Sequence, residues 1–322
     1  MWTLLAFVSA LCLGCYDVSK KIALRNNPVV DVLTISICVS ALLLSVPLLL
    51  SRLNPAMMST TLFYVPQPDA QAHLYTLLKS AIVLSSWIFA YVSLKHLPLS
   101  LVSPMQATGP MWTLIGALLI FNEHLNAWQW AGVLLAIGTI FAFSLRSVYS
   151  TRHQHVNASN QASAATPVKY YICLALGILI GACSGLYDKY LMRQFDHNFV
   201  QVYYTLYQAV MMLVVWSIMR LIRRGSRPAG ADIRNNKHLR LSAGMIPIVL
   251  ISIFLVISDN TYMLALRDPD SMIAVVSTIR RGGTVIGFGY GLLFLKESDP
   301  WHKLLCMIGI SAGLLCLAIG AA

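Results

Sequence analysis

SMIAVVSTIRRGGTVIGFGYGLLF, residues 271–294, is apolar along its length except for Arg280 and Arg281 near its middle. A charge at mid-bilayer costs roughly 3 to over 10 kcal/mol depending on the reference state, so arginines in a spanning segment face a protein cavity and carry function. What the pair means turns on whether the rest of the chain lives in a membrane. Of the 322 residues, 57% are hydrophobic and 11% are charged. Soluble domains carry about 25% charged residues. A chain this apolar needs the bilayer as its solvent.

Ten stretches have the length and character of spanning helices: 2–20, 29–50, 73–94, 99–121, 127–145, 170–192, 200–221, 243–266, 271–294 and 301–321. The first lacks a basic n-region and is too long for a signal-peptide core, so it reads as a retained span. The net charge of +11 does not indicate nucleic acid, because Lys and Arg cluster beside the spans. Counted by loop, the odd-numbered connections hold sixteen bases, Lys20 and Lys169 among them, and the even-numbered ones hold three, Arg52, Arg193 and Arg267. The positive-inside bias puts the odd loops in the cytoplasm and both termini opposite. All seven cysteines fall within spans and read as small buried apolar residues. No metal-ligand cluster, Walker A, G-x-S-x-G or H-E-x-x-H pattern is present, so the sequence predicts neither an enzyme nor a cofactor or metal site.

The chain repeats itself. A polar stretch at 147–168 reads as a flexible linker between two five-span halves, 1–146 and 169–322. Tyr16-Asp17 and Tyr187-Asp188 stand 171 residues apart, and the same offset relates Tyr91 to Tyr262, Pro98 to Pro269, Ser100 to Ser271 and Gly116 to Gly287. Because five is odd, the second half enters from the other side. The expected fold is an all-α multi-pass membrane protein, ten helices in two inverted-topology repeats, an arrangement that permits alternating access.

Residues 94–143, with Leu97-Pro98, Pro104, Pro110, Glu123 and Gly132, and the second copy ending in Glu297 and Gly309, resemble the EamA-like repeat of the drug/metabolite transporter superfamily. The resemblance implies a ten-helix carrier with a central cavity, and cytoplasmic termini, the reverse of the charge count. The basic pair in the ninth span looks like the Lys-Arg pair of the sugar-phosphate translocator branch. That likeness implies that Arg280 and Arg281 bind an anion.

The residues agree with that assignment. Arg presents a planar fork for carboxylate or phosphate, and about 100° separates neighbours on a helix, so the two arginines border one cavity without pointing the same way. Gly282 and Gly283 let a helix or ligand approach. Against this stands a structural reading in which the arginines pair with Asp17, Asp188 or Asp259. Asp17 and Asp188 each precede bases and read as local pairs near the interface; Asp259, deeper, reads as a proton site or a salt bridge to span nine. Tyr16, Tyr187, Tyr91, Tyr262, Trp87, Trp112 and Gln106 are candidates to line the pocket, and Glu123 and Glu297 read as helix caps. The expectation is a secondary transporter for a small organic anion, carboxylated or phosphorylated, driven by protons or a counter-substrate. Its partners are that substrate and the lipid bilayer, and the short loops and high pI fit a bacterial inner membrane. Alternatives are a proton-coupled exporter of neutral or cationic amino acids, metabolites or drugs, a lipid-linked anion flippase, and a non-transporting scaffold.

Overall fold

The computed structural model describes residues 1–24, 27–67, 69–97, 105, 108–156, 168–225, 241–283, 285–287, 290 and 300–320. Ten helices organise them: α1 (Trp2–Leu24), α2 (Val29–Leu53), α3 (Ala70–His96), α4 (Gly109–Ile120), α5 (Ala127–Val156), α6 (Val168–Gln194), α7 (His197–Gly225), α8 (Leu241–Arg267), α9 (Ile273–Arg281) and α10 (Pro300–Gly320). A single helical turn, Pro55–Met58, follows α2, and no strand occurs among the described residues. In lipid every backbone polar group needs an internal partner, which leaves helices as the only structure for such apolar runs. The hydroxyls inside them fold back on their own helix: Thr34, Ser40 and Thr76 each donate to the carbonyl four residues earlier, at 2.8, 3.0 and 2.8 Å.

Six of these helices, α1, α2, α3, α6, α7 and α8, are long and apolar enough to cross a membrane, and Gly109–Ile120, Ala127–Ala142 and Leu304–Gly320 are shorter apolar helices. Large side chains such as Leu119, Trp301 and Leu42 point outward, 79%, 74% and 68% exposed, where only lipid makes that tolerable. The chain is a multi-pass membrane protein.

The principal packing pairs are α1 with α8 and α3 with α6, α2 with α8 and α3 with α7, α1 with α9 and α4 with α6, then α2 with α7, α4 with α9, α6 with α8 and α5 with α10. The largest core cluster draws on the starts of α1, α3, α5, α7 and α9 and the ends of α4, α6, α8 and α10. Those ends therefore meet at one face of the bundle, sealed by Leu191, Met192, Phe199, Leu266 and Ile273.

Two differences from the sequence reading matter. The helix of the fifth span continues to Val156, ten residues into the stretch read as linker, while 157–167 lie outside the described residues. The ninth span is not one helix. It stops at Arg281, with Gly282 as its C-cap and a turn at Gly282-Gly283, and helical residues resume at 285–287. The break is where α1 crosses. A Cβ on Gly14 would stand 2.5 Å from the Gly283 carbonyl oxygen, and one on Gly283 would overlap the Ala10 carbonyl. Backbone meets backbone there, which only glycine permits. Irregular backbone at membrane depth survives only when buried or facing a cavity, and this break does both: Gly283 is buried while Arg280 and Arg281 border open space.

Candidate functional site

Opposite the sealed face, the bundle encloses a cavity of about 490 Å³. It is lined by the second halves of α1 and α3, the first turns of α4, the first two-thirds of α6, Tyr204 of α7, the middle of α8 and the end of α9. Seven charged side chains reach it: Asp17, Lys20, Lys79, Asp188, Asp259, Arg280 and Arg281.

They fall into a deep group and a shallow one. At the floor, Lys79 of α3 forms an ion pair with Asp188 of α6, and their side chains are 3% and 10% exposed. The Lys79 ammonium also sits 4.6 Å from the centre of the Tyr204 ring. Beside it Arg280 pairs with Asp259 of α8 and lies 4.3 Å over the Tyr262 ring. The Arg280 Nε is buried and has no partner. Pairing of this kind, with cation–π support, is how buried charges are tolerated away from water. Nearer the opening, Asp17 lies among the positive charges of Lys20, one turn on along α1, and of Arg281 and Arg280 across the α1–α9 crossing.

Of the sequence-predicted site residues, Arg280, Arg281, Asp259, Asp188, Asp17, Tyr16, Tyr262 and Trp87 all line this cavity. Tyr187 does not. One residue before Asp188, it is turned about 100° away, donates to the Tyr75 carbonyl at 3.1 Å and stacks on Tyr190. Trp112 is 45% exposed on the outside of α4. Gln106 and the Tyr91 side chain lie outside the described residues. The pairing expected for Asp188 is also corrected. Its partner is not the adjacent Lys189, which is buried on another side of α6 and donates to Ser271, 2.6 Å from its Oγ. For Asp259 the salt bridge to span nine is what occurs.

Lys79 is the residue that sequence reasoning misses. It is a lone base, the seventh residue of the apolar span 73–94, the same signal as Arg280, but it lacks a doublet to draw the eye. Lys20 reads in sequence only as a loop charge, and nothing in the sequence singles out Tyr204.

At the sealed face the cap is Glu123, although not of its own neighbouring helices. Asn122, in the left-handed region at φ 50°, turns the chain after α4, and the Glu123 carboxylate accepts from the N–H groups of Ile273 and Ala274 at 2.6 and 3.2 Å. It thus satisfies the open N-terminus of α9, joining the first half of the chain to the second. Burial pushes this carboxyl above the ordinary range, opposed by those two N–H bonds and by Lys189 and Arg193. Nearby, Arg267 at the end of α8 bonds Asp196 at 2.9 Å, tying α8 to the α6–α7 turn. Glu123→Ala should cost about 1–2 kcal/mol, as other lost helix caps do, read as a lower unfolding midpoint in detergent. Glu123→Gln, which keeps one carbonyl acceptor, should lose less.

Comparison with known proteins agrees with this anatomy. Residues 1–145 match the EamA-like transporter family. The first half of the chain is thus similar to a family of membrane transporters, and the resemblance read in spans four and five extends over that half. No curated protein matches the sequence. A solved structure described only as "Crystal structure of protein" shares the fold, with a TM-score of 0.70 at 12% identity over 99% of this chain and 96% of that one.

Proposed function

We propose that the protein is a secondary transporter carrying a small organic anion by alternating access between two inverted repeats, α1–α5 and α6–α10. The observation that carries the reading is the cavity itself. It is a chamber at membrane depth, lined by four bases and three acids, sealed at one face and bordered at the other by Lys20 of α1. A scaffold has no use for seven charges placed where each is costly.

The packing supports the inverted repeat. Exchanging α1–α5 for α6–α10 turns α1–α8 into α6–α3, α2–α8 into α7–α3 and α1–α9 into α6–α4, all principal pairs, while α2–α7, α4–α9 and α5–α10 map onto themselves; α6–α8 has no counterpart of similar extent among the described residues. Halves related in this way can exchange conformations, closing the open end and opening the sealed one. The open end is the one from which the basic odd loops emerge, so the positive-inside bias makes this an inward-open state in a cytoplasmic membrane. The chain has no nucleotide-binding sequence, and a proton or counter-substrate gradient supplies the work. The Asp259–Arg280 pair gives the acid a counter-ion, which speaks against a free cation or proton site there, and it engages Arg280 as the structural reading of the arginines expects.

The test is counterflow into proteoliposomes preloaded with unlabelled organic anions. Labelled anion should accumulate against its gradient, and Arg281→Gln should reduce the initial rate at least tenfold. Accumulation of amino acids or cations that survives Arg281→Gln would overturn the anion assignment.

A further inference from the structure

Resting on the alternating-access reading, we infer that Lys189 and Asn260 are positioning residues of the transport cycle: they latch the sealed end and let go when it opens.

An asymmetry in the packing locates the latch. At the sealed end, the end of α6 and the start of α7 both pack on the later part of α8. Exchange of the repeats turns α6–α8 into α1–α3 and α7–α8 into α2–α3. Neither image is a contact of similar extent among the described residues; the second halves of α1 and α3 line the cavity instead. Pairs found at both ends, α1–α8 with α3–α6 and α2–α8 with α3–α7, need not change when the chamber changes face. Pairs found at one end only are the ones that form and part.

Polar groups hold both of these seams. On α6, Lys189 is 1% exposed, and its ammonium donates to the Ser271 carbonyl and, at 2.6 Å, to the Ser271 Oγ, in the turn that follows α8. On α8, the Asn260 Nδ2 donates to Gln201 Oε1 at 2.7 Å and to Asn198 Oδ1 at 3.2 Å, both on α7. Gln201 donates back to the Val256 carbonyl of α8 at 2.7 Å. The Arg267–Asp196 pair crosses the same region, but Arg267 is 50% exposed and a bridge so wet adds little.

A buried ammonium held by neutral oxygens is costly at membrane depth, and an apolar side chain would fill the space as well. What hydrogen bonds add is a contact that parts reversibly. When the seam opens, water replaces each lost partner, so parting costs far less than the bond is worth in isolation. Apolar surface exposed by the same movement has no such replacement and is penalised in proportion to its area. Hydrogen bonds are also directional, so they define one closed position for α8 against α6 and α7.

The test uses the full chain in oriented proteoliposomes, cysteine-free except for Trp87→Cys in the cavity, labelled with an impermeant maleimide from each face in turn. Lys189→Met and Asn260→Leu should each lower the labelling rate from the open, basic-loop face and raise it from the opposite face, changing the ratio of the two at least tenfold. Lys189→Gln, which keeps a donor toward Ser271, should change it less. Ser252→Ala is the control: it removes a 2.9 Å bond from α8 to the Ser36 carbonyl of α2, inside a pair found at both ends, and should leave the ratio unchanged. A fall at one face with a rise at the other is a shift between two folded states. A rise at both faces means loosened packing, which makes the two residues structural and overturns the latch. A ratio that moves no more than in Ser252→Ala also overturns it, and the transport reading then stands if substrate still opens wild type to the opposite face. If Trp87→Cys is labelled from the opposite face in no variant and under no substrate gradient, the alternating-access reading fails and the latch with it.

Discussion

Lys79→Met should be among the most damaging single substitutions in this protein. It removes the counter-ion of Asp188 at the cavity floor, where the two side chains are 3% and 10% exposed. An orphaned buried carboxylate costs about 3–5 kcal/mol, whereas replacing both partners with apolar groups of similar size is often neutral. The double variant Lys79→Met/Asp188→Leu should therefore unfold near wild type in a detergent denaturation series, although each single change is severe. Arg280→Gln should follow the same pattern with a smaller loss, since Arg280 and Asp259 are 20% and 15% exposed and cavity water softens the penalty. If the Lys79 and Asp188 losses simply add, the two residues do not act as a pair and the deep group is not balanced.

The second large effect is steric. Gly283→Val places a side chain against the Ala10 carbonyl and 3.1 Å from the Gly14 nitrogen. Both are backbone atoms of α1 and cannot turn aside, so α1 and the break after α9 must separate. Overpacking costs about 1–3 kcal/mol where side chains can adjust, and more where they cannot; about 3 kcal/mol or above is expected here. Gly138→Ala is the control. A Cβ there meets nothing within 4 Å, so the change should be neutral or stabilise by about 0.5–1 kcal/mol through helix propensity. Equal losses at the two glycines would mean that the α1–α9 crossing is not tight.

How much of this the sequence discloses depends on how local each signal is. Apolar runs are local, so the helices are legible. Intramembrane charge is local as well, and Arg280, Arg281, Asp188 and Asp259 stand out from the apolar residues around them in the bare sequence. Pairing is not local. Asp188 lies beside Lys189 in sequence, yet the helix turns the two about 100° apart, and Lys79, 109 residues earlier, takes the carboxylate. The same rotation removes Tyr187 from the cavity while leaving Asp188 in it. Glu123 is legible as a cap, but the helix it caps starts 150 residues away. The break at Gly282-Gly283 shows in sequence only as two small residues, because the same doublet serves a continuous helix packed closely against a neighbour.

The central claim is that one chamber is reached from alternate faces, and cysteine accessibility in a cysteine-free background tests it most directly. In oriented proteoliposomes, Trp87→Cys in the cavity should react with an impermeant maleimide from the basic-loop face. Leu191→Cys, buried in the seal at 0% exposure, should react slowly from the opposite face, and its rate should change when substrate drives turnover. If Leu191→Cys is never reached from that face under any substrate gradient, while Trp87→Cys remains open, the chamber has a single fixed entrance and the protein is not an alternating-access transporter.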